Sequence, residues 1–146
     1  MENIKLRFVT VEVKGKPIKY LEKYVVDENG EEIFNRDIEI ENDIRLYDEY
    51  KLKTGLLTSS QIKKIRAKYG LTQKEYALVL GMGEISIHRF EKGSIQTDTI
   101  DNVIRLSANP INLKEMLKRQ MFNIPEELYS KVSDRINELL CLKEHA

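Results

Sequence analysis

The sequence predicts an α+β chain in which a small N-terminal antiparallel β domain precedes an all-helical remainder. Three observations predict it. Residues 5–13 alternate apolar and polar side chains with the period of a strand. From Thr58 onward apolar residues recur every three or four positions, and helix-capping signals recur along the same stretch. The chain has 146 residues, 41% of them hydrophobic and 33% charged, enough for a buried core in one ordinary domain or two small ones.

Taken in order, Lys5-Leu-Arg-Phe-Val-Thr-Val-Glu-Val13 reads as a strand, Lys14-Gly15-Lys16-Pro17 as a turn, and residues 18–26 as the returning strand. Asp27-Glu-Asn-Gly30 contains an Asn-Gly pair, which favours a tight hairpin turn into a short third strand around Glu32-Ile33-Phe34. Residues 37–53 carry Ile40, Ile44, Tyr47 and Leu52 at helical spacing, so they predict a helix with that face, bridging to a boundary near Thr54-Gly55.

Thr58-Ser-Ser-Gln61 and Thr72-Gln-Lys-Glu75 both have the form of a capping box, in which a hydroxyl accepts from a free backbone N–H and the fourth side chain reaches back. The first opens a helix with Ile62, Ile65, Arg66 and Tyr69 on one face, ending at Gly70. The second opens a shorter helix with Tyr76, Ala77, Val79 and Leu80, ending at Gly81. A third helix is predicted over residues 83–90 with Gly83 as its N-cap, and a fourth over residues 97–107. Two more follow over residues 113–120 and 125–142, the last with Leu128, Val132, Ile136 and Leu139 three or four apart. That stripe would either pair with a second copy of the chain or pack on its own domain. The expected domains are 1–54, β-rich, metal-free and with a linking helix; 55–109, helical; and 110–146, a helical extension.

Several function classes are excluded on composition. No apolar run approaches the roughly 20 residues that span a bilayer, and the N-terminus lacks a basic segment followed by an apolar one, so no membrane partner and a cytoplasmic location are expected. Cys141 is the only cysteine, which rules out an intramolecular disulfide and a cysteine-based zinc site. Asp27, Glu28, Glu31 and Glu32 lack the spacing of a calcium loop and are expected to be solvated. His88 has only His145 as a fellow histidine, and Cys141 has no basic neighbour to activate it. His88 is therefore expected to face a ligand as a polar residue and Cys141 to be a small buried one. Gly81-Met-Gly83 is too short for a nucleotide-binding fingerprint. No catalytic residue, metal or cofactor is expected.

The net charge is zero but unevenly spread. Residues 1–50 hold 8 Lys/Arg against 13 Asp/Glu, residues 51–107 hold 10 against 5, and residues 108–146 hold 6 against 6. The basic surplus therefore falls on the segment with two short helices joined by a tight turn.

That segment, Leu71-Thr-Gln-Lys-Glu-Tyr-Ala-Leu-Val-Leu-Gly-Met-Gly-Glu-Ile-Ser-Ile-His-Arg-Phe-Glu-Lys-Gly93, resembles the helix-turn-helix of phage repressors, and residues 58–106 fit their five-helix module. Ala77 would let the two helices cross closely, Gly81 would supply the turn, and Ile87 and Phe90 would point into the core. Left facing outward are Gln73, Glu84, Ile85, Ser86, His88 and Arg89. The resemblance implies that Gln73 contacts phosphate and that Glu84, Ile85 and Arg89 meet base edges in the major groove. The chemistry is suitable: Arg pairs with guanine, Glu accepts from cytosine N4, and Ile can touch a thymine methyl. Glu84 has a second reading, as a solvated helix-start residue favoured by the dipole. Lys63, Lys64, Lys68, Lys74 and Lys92 are candidates for phosphate contacts, and Gly83, at the turn into the reading helix, belongs to the same set.

A wider resemblance covers about residues 10 to 107. Gly55-Leu-Leu-Thr58, Ile65-Arg-Ala-Lys-Tyr-Gly-Leu-Thr-Gln73 and Gly81-Met-Gly-Glu-Ile-Ser-Ile-His-Arg-Phe-Glu-Lys-Gly-Ser-Ile-Gln96 are similar to MqsA-type antitoxin regulators, whose helix-turn-helix follows a small zinc-ribbon domain. Where that family has Cys-x-x-Cys-Gly, this chain has Val26-Asp-Glu-Asn-Gly30, so the hairpin is expected without its metal. The resemblance implies a homodimeric repressor of its own operon, binding a double-stranded DNA operator and also a cognate toxin protein. The alternative is a protein-interaction module that neutralises a toxin and uses the helix-turn-helix only as a scaffold.

Overall fold

Strands β1 (Asn3–Val13) and β2 (Lys16–Val26) pair antiparallel from Asn3↔Val26 to Val13↔Lys16. The hairpin is tight because Lys14 and Gly15, the two residues between them, both take positive φ (48° and 79°). Two such residues match the right-handed twist of the strands, and glycine adopts the second without strain. The computed structural model describes residues 3–144 of the chain. These fall into two compact units, one running to Leu56 and including Gly93–Ile95, the other formed by Leu57–Lys92 and the chain from Gln96 onward.

In the first unit the sheet order is β1-β2-β3, with β3 (Glu32–Ile33) antiparallel to the end of β2. The expected tight turn forms over Asp27–Gly30: Gly30, at a φ of 79°, donates its N–H to the Asp27 carbonyl (3.1 Å), and Asp27 N–H donates to the Glu31 carbonyl (2.9 Å). The Asp27 carboxylate holds the turn by accepting from the backbone N–H groups of Asn29 (2.8 Å) and Glu31 (3.0 Å). Glu32, placed with the solvated acidic residues on sequence, instead pairs with Arg7, which also lies 4.2 Å from the Tyr24 ring centre.

Helix α1 (Arg36–Thr54) is capped by Asn35, whose side chain accepts from Ile38 N–H, and ends at Gly55 in the left-handed region. Its buried side chains include Ile38, Asn42, Leu46 and Tyr50, spaced by four, whereas Ile40 and Leu52 are exposed. The predicted face is therefore displaced: Asn42, polar and so passed over, is a buried member of the true one. Both strands leave alternate backbone groups pointing away from each other, and Lys23 is such a position. Asn42 answers it, accepting from Lys23 N–H (2.9 Å) and donating to Lys23 C=O (2.8 Å), as a neighbouring strand would. Val13, Ile18, Tyr20, Leu46 and Tyr50 form the core beneath, with Val9, Tyr47, Leu56 and Ile95 against it.

The second unit contains α2 (Ser59–Lys68), α3 (Gln73–Val79), α4 (Ser86–Glu91), α5 (Asp98–Ser107), α6 (Pro110–Arg119) and α7 (Glu126–Glu144). Both predicted capping boxes are present, at Thr58/Gln61 and Thr72/Glu75, and Thr97 caps α5. Helix α6 starts at Pro110 rather than 113, because Asn109 accepts from Ile111 N–H and proline fits the first helical position without losing a needed donor. Helix α4 starts at Ser86 rather than 83. Gly83, Glu84 and Ile85 precede it, Ser86 N–H bonds the Gly83 carbonyl, and no side chain caps it.

One apolar cluster holds these helices together: Ile62, Tyr69, Tyr76, Ala77, Val79, Ile87 and Ile104 share it with Leu113, Leu117, Leu128, Val132 and Ile136. The α7 stripe is thus spent on its own unit, with Leu139 also packed against the cluster. Cys141 is exposed, contrary to expectation, because it falls on the opposite side of α7 from Val132 and Ile136. His145 lies outside the described residues. Tyr69 donates to the Ser107 carbonyl, and Tyr76 is hydrogen-bonded to the Ser107 hydroxyl. Burial pushes the Tyr76 phenol up to about 12 and raises Tyr69 as well.

Three measurements check this packing. Asn42→Ala should lower the stability of the first unit by about 2 kcal/mol in urea unfolding, because it strands two backbone groups of Lys23. Ile136→Ala should cost the second unit about 3 kcal/mol, where a loosely attached tail would register under about 0.5. Because Tyr76 is raised in the fold, its stabilising contribution is whole below the unfolded tyrosine range near 10. It should be lost as pH rises through about 12, so part of the alkaline destabilisation should disappear in Tyr76→Phe.

Candidate nucleic-acid interface

Helices α3 and α4 are joined by Gly81, whose φ of 76° turns the chain while Met82 N–H closes back onto the Ala77 carbonyl. A side chain at Gly81 would need the left-handed backbone and would also meet the Gln120 amide at 2.9 Å. Ala77 is fully buried, which fits a residue whose small side chain permits close helix approach. On α3, Tyr76, Ala77 and Val79 face inward, and on α4, Ile87 and Phe90 do. Of the six residues of α4, these two are the buried anchors, His88 and Arg89 face solvent, and Ser86 and Glu91 are partly covered.

The outward residues are those expected, with two differences of degree. Gly83, Glu84, Ile85, His88, Arg89 and Lys92 are exposed, Ile85 at 54%. Ser86 and Gln73 are half-buried. Glu84 sits in the turn before α4 and lies 3.8 Å from the exposed Lys74 ammonium, a surface pair of small energetic consequence. Among the other lysines, Lys68 donates to the Ala108 carbonyl at 2.7 Å, which directs it to the end of α5. Ser59, Ser60, Lys63, Gln73, Glu91 and Lys92 line a shallow hollow of about 320 Å³ that continues the exposed row.

Behind that row lies a network that sequence reasoning did not find. Arg66 Nε and Nη2 each donate to Glu91 at 2.8 Å, and Nη1 donates to the Leu71 carbonyl at 2.9 Å. The pair is largely shielded, with side-chain exposures of 16% and 6%, and the hydrogen bonds to Glu91 raise the Arg66 pKa further above its ordinary value. Gln73 joins through its amide: Nε2 donates to Glu91 Oε1 at 3.1 Å, and Oε1 lies 3.0 Å from His88 Nδ1. One signal was available, since Arg66 occupies the same predicted face as Ile62, Ile65 and Tyr69, and a cation there needs a shielded partner. Its identity was not readable, because Glu91 lies 25 residues away.

Comparison with known proteins locates the same segment. Residues 62–109 match a family model described as helix-turn-helix. Over 112 residues the chain is 30% identical to the glutamine–fructose-6-phosphate aminotransferase (isomerizing) of Methanocaldococcus jannaschii, a stretch that covers 69% of this chain and 10% of that protein. The chain thus spans about a tenth of the length of this curated relative. No solved structure matches it. Among the described residues no helix is long and apolar enough to cross a membrane. Residues 62–109 are therefore similar to a helix-turn-helix domain of the XRE type.

Proposed function

We propose that the chain is a sequence-specific transcriptional repressor that reads operator DNA with the turn and first residues of α4, acts on its own operon in the manner of an antitoxin, and is not an enzyme. The observation that carries this is the exposed row Glu84, Ile85, His88, Arg89 and Lys92 on elements whose opposite side is sealed into the core. The chemistry of the row suits the major groove: a guanidinium for guanine and an aliphatic side chain for a thymine methyl. The hollow, where Arg66 holds the Glu91 carboxylate, offers the Ser60 hydroxyl and the Lys63 and Lys92 ammonium groups to the adjoining phosphates.

A short reading helix meets too few base pairs for tight binding, so the active species is proposed to be a homodimer on two half-sites. Its contact would use a surface other than the α7 stripe, which the core of the second unit already occupies. Toxin neutralisation by the first unit is a second role, favoured by Ile4, Leu6 and Phe8, which share one side of β1 and are all exposed. The two roles are compatible in one chain.

Selection of bound fragments from random duplex DNA, with the purified full chain, tests the reading directly. A defined half-site should emerge. Arg89→Ala should then weaken binding by about 1–3 kcal/mol and relax preference at one base pair per half-site. Lys74→Ala should weaken all sequences alike and reduce the salt dependence by about one unit. If Arg89→Ala leaves both affinity and preference intact while circular dichroism shows a folded chain, α4 is not the reader.

A further inference from the structure

Gln73 has two chemically different ends, and its neighbours determine which end faces which. Glu91 is bound by Arg66 through both oxygens, and a carboxylate so held only accepts hydrogen bonds. The amide nitrogen of Gln73 must therefore be the end at Glu91, 3.1 Å from Oε1. Its carbonyl oxygen is left for His88, at 3.0 Å from Nδ1. Because that oxygen only accepts, Nδ1 must carry the proton. In a neutral imidazole the other nitrogen then has none. A chain of three contacts, beginning at a shielded ion pair, thus sets the polarity of an exposed ring on the helix that faces outward.

We propose that His88 is a specificity residue that presents Nε2 as a hydrogen-bond acceptor, with Gln73 as the positioning residue that holds this tautomer. This rests on the DNA-reading role proposed above. In the major groove the partners of an acceptor are exocyclic amines, the N6 amine of adenine or the N4 amine of cytosine. Guanine and thymine present acceptors at the corresponding places and would meet Nε2 lone pair to lone pair. His88 therefore selects adenine or cytosine at its position, while Arg89 beside it, a donor only, seeks the complementary guanine-type edge. The two neighbours read opposite hydrogen-bond polarities.

Two measurements on the full chain test this. Long-range nitrogen–proton NMR at pH 8 resolves the tautomer of each ring, and with two histidines in the chain the spectrum of His88→Gln assigns the signal. The expected result is protonated Nδ1 and bare Nε2 in the wild type, moving toward the Nε2–H form in Gln73→Ala. A wild-type ring protonated at Nε2 overturns the proposal whether or not DNA binds. Selection from random duplexes should enrich an adenine or cytosine at one position per half-site. His88→Ala should lower that preference roughly fivefold, the lower end for a base contact, and leave the Arg89 position unchanged. A site whose every position is unchanged in His88→Ala overturns the proposal while DNA reading stands. No enrichment by the wild type removes DNA reading and this proposal with it.

Discussion

Arg66 and Glu91 are the constraint around which the helix-turn-helix is arranged. Their two parallel hydrogen bonds fix the end of α4 against α2, and the third guanidinium contact fixes the Leu71 carbonyl just ahead of the α3 cap. Three of the elements that bear on the exposed row are thereby referred to one planar group. The geometry also explains why arginine rather than lysine stands there, since a single ammonium has no fork with which to hold a carboxylate and a carbonyl at fixed angles. Such a pair is not chiefly a source of stability, because removing two charges from water offsets much of their attraction. Its effect is on uniqueness: with either partner alone the remaining charge would be stranded, so alternative packings of α2 on α4 are disfavoured.

The same logic of satisfying polar groups recurs in the first unit by a different device. A three-stranded sheet whose third strand is only two residues long leaves much of β2's outer edge without a partner strand. Asn42 supplies one donor and one acceptor from α1 and stands in for a strand at Lys23. The loop of residues 27–31 is organised similarly, by an aspartate that accepts from two backbone N–H groups. A side chain and its own backbone thus close the loop.

Between the anchored core and the exposed row, Gln73 is the intermediary. It is half-buried, with one end on Glu91 and the other on His88, so the orientation of a solvent-facing ring depends on a shielded ion pair. Recognition surfaces built this way lose little side-chain entropy on binding, since the donors and acceptors are already directed. Arg89 and Ile85 owe their placement to Ile87 and Phe90, the two α4 residues that enter the core.

Much of this was legible along the chain, because the signals are local. Capping boxes at Thr58 and Thr72, the strand alternation from Lys5, and the recurrence of Leu128, Val132 and Ile136 act within a few residues of one another, where backbone and side chain decide the outcome without distant partners. The outward set at the turn and on α4 followed from the resemblance to phage repressors, which assigns Ile87 and Phe90 to the core. What tertiary structure alone decided was which polar residues go inside and what they meet. Asn42 is buried because a sheet edge needs it, and so the face of α1 is not the one its apolar residues mark. Arg66 and Glu91 pair across 25 residues, and Gln73 turns inward to them. A buried polar group is stable only with its partner, and the partner is a matter of position in space, which no local pattern encodes.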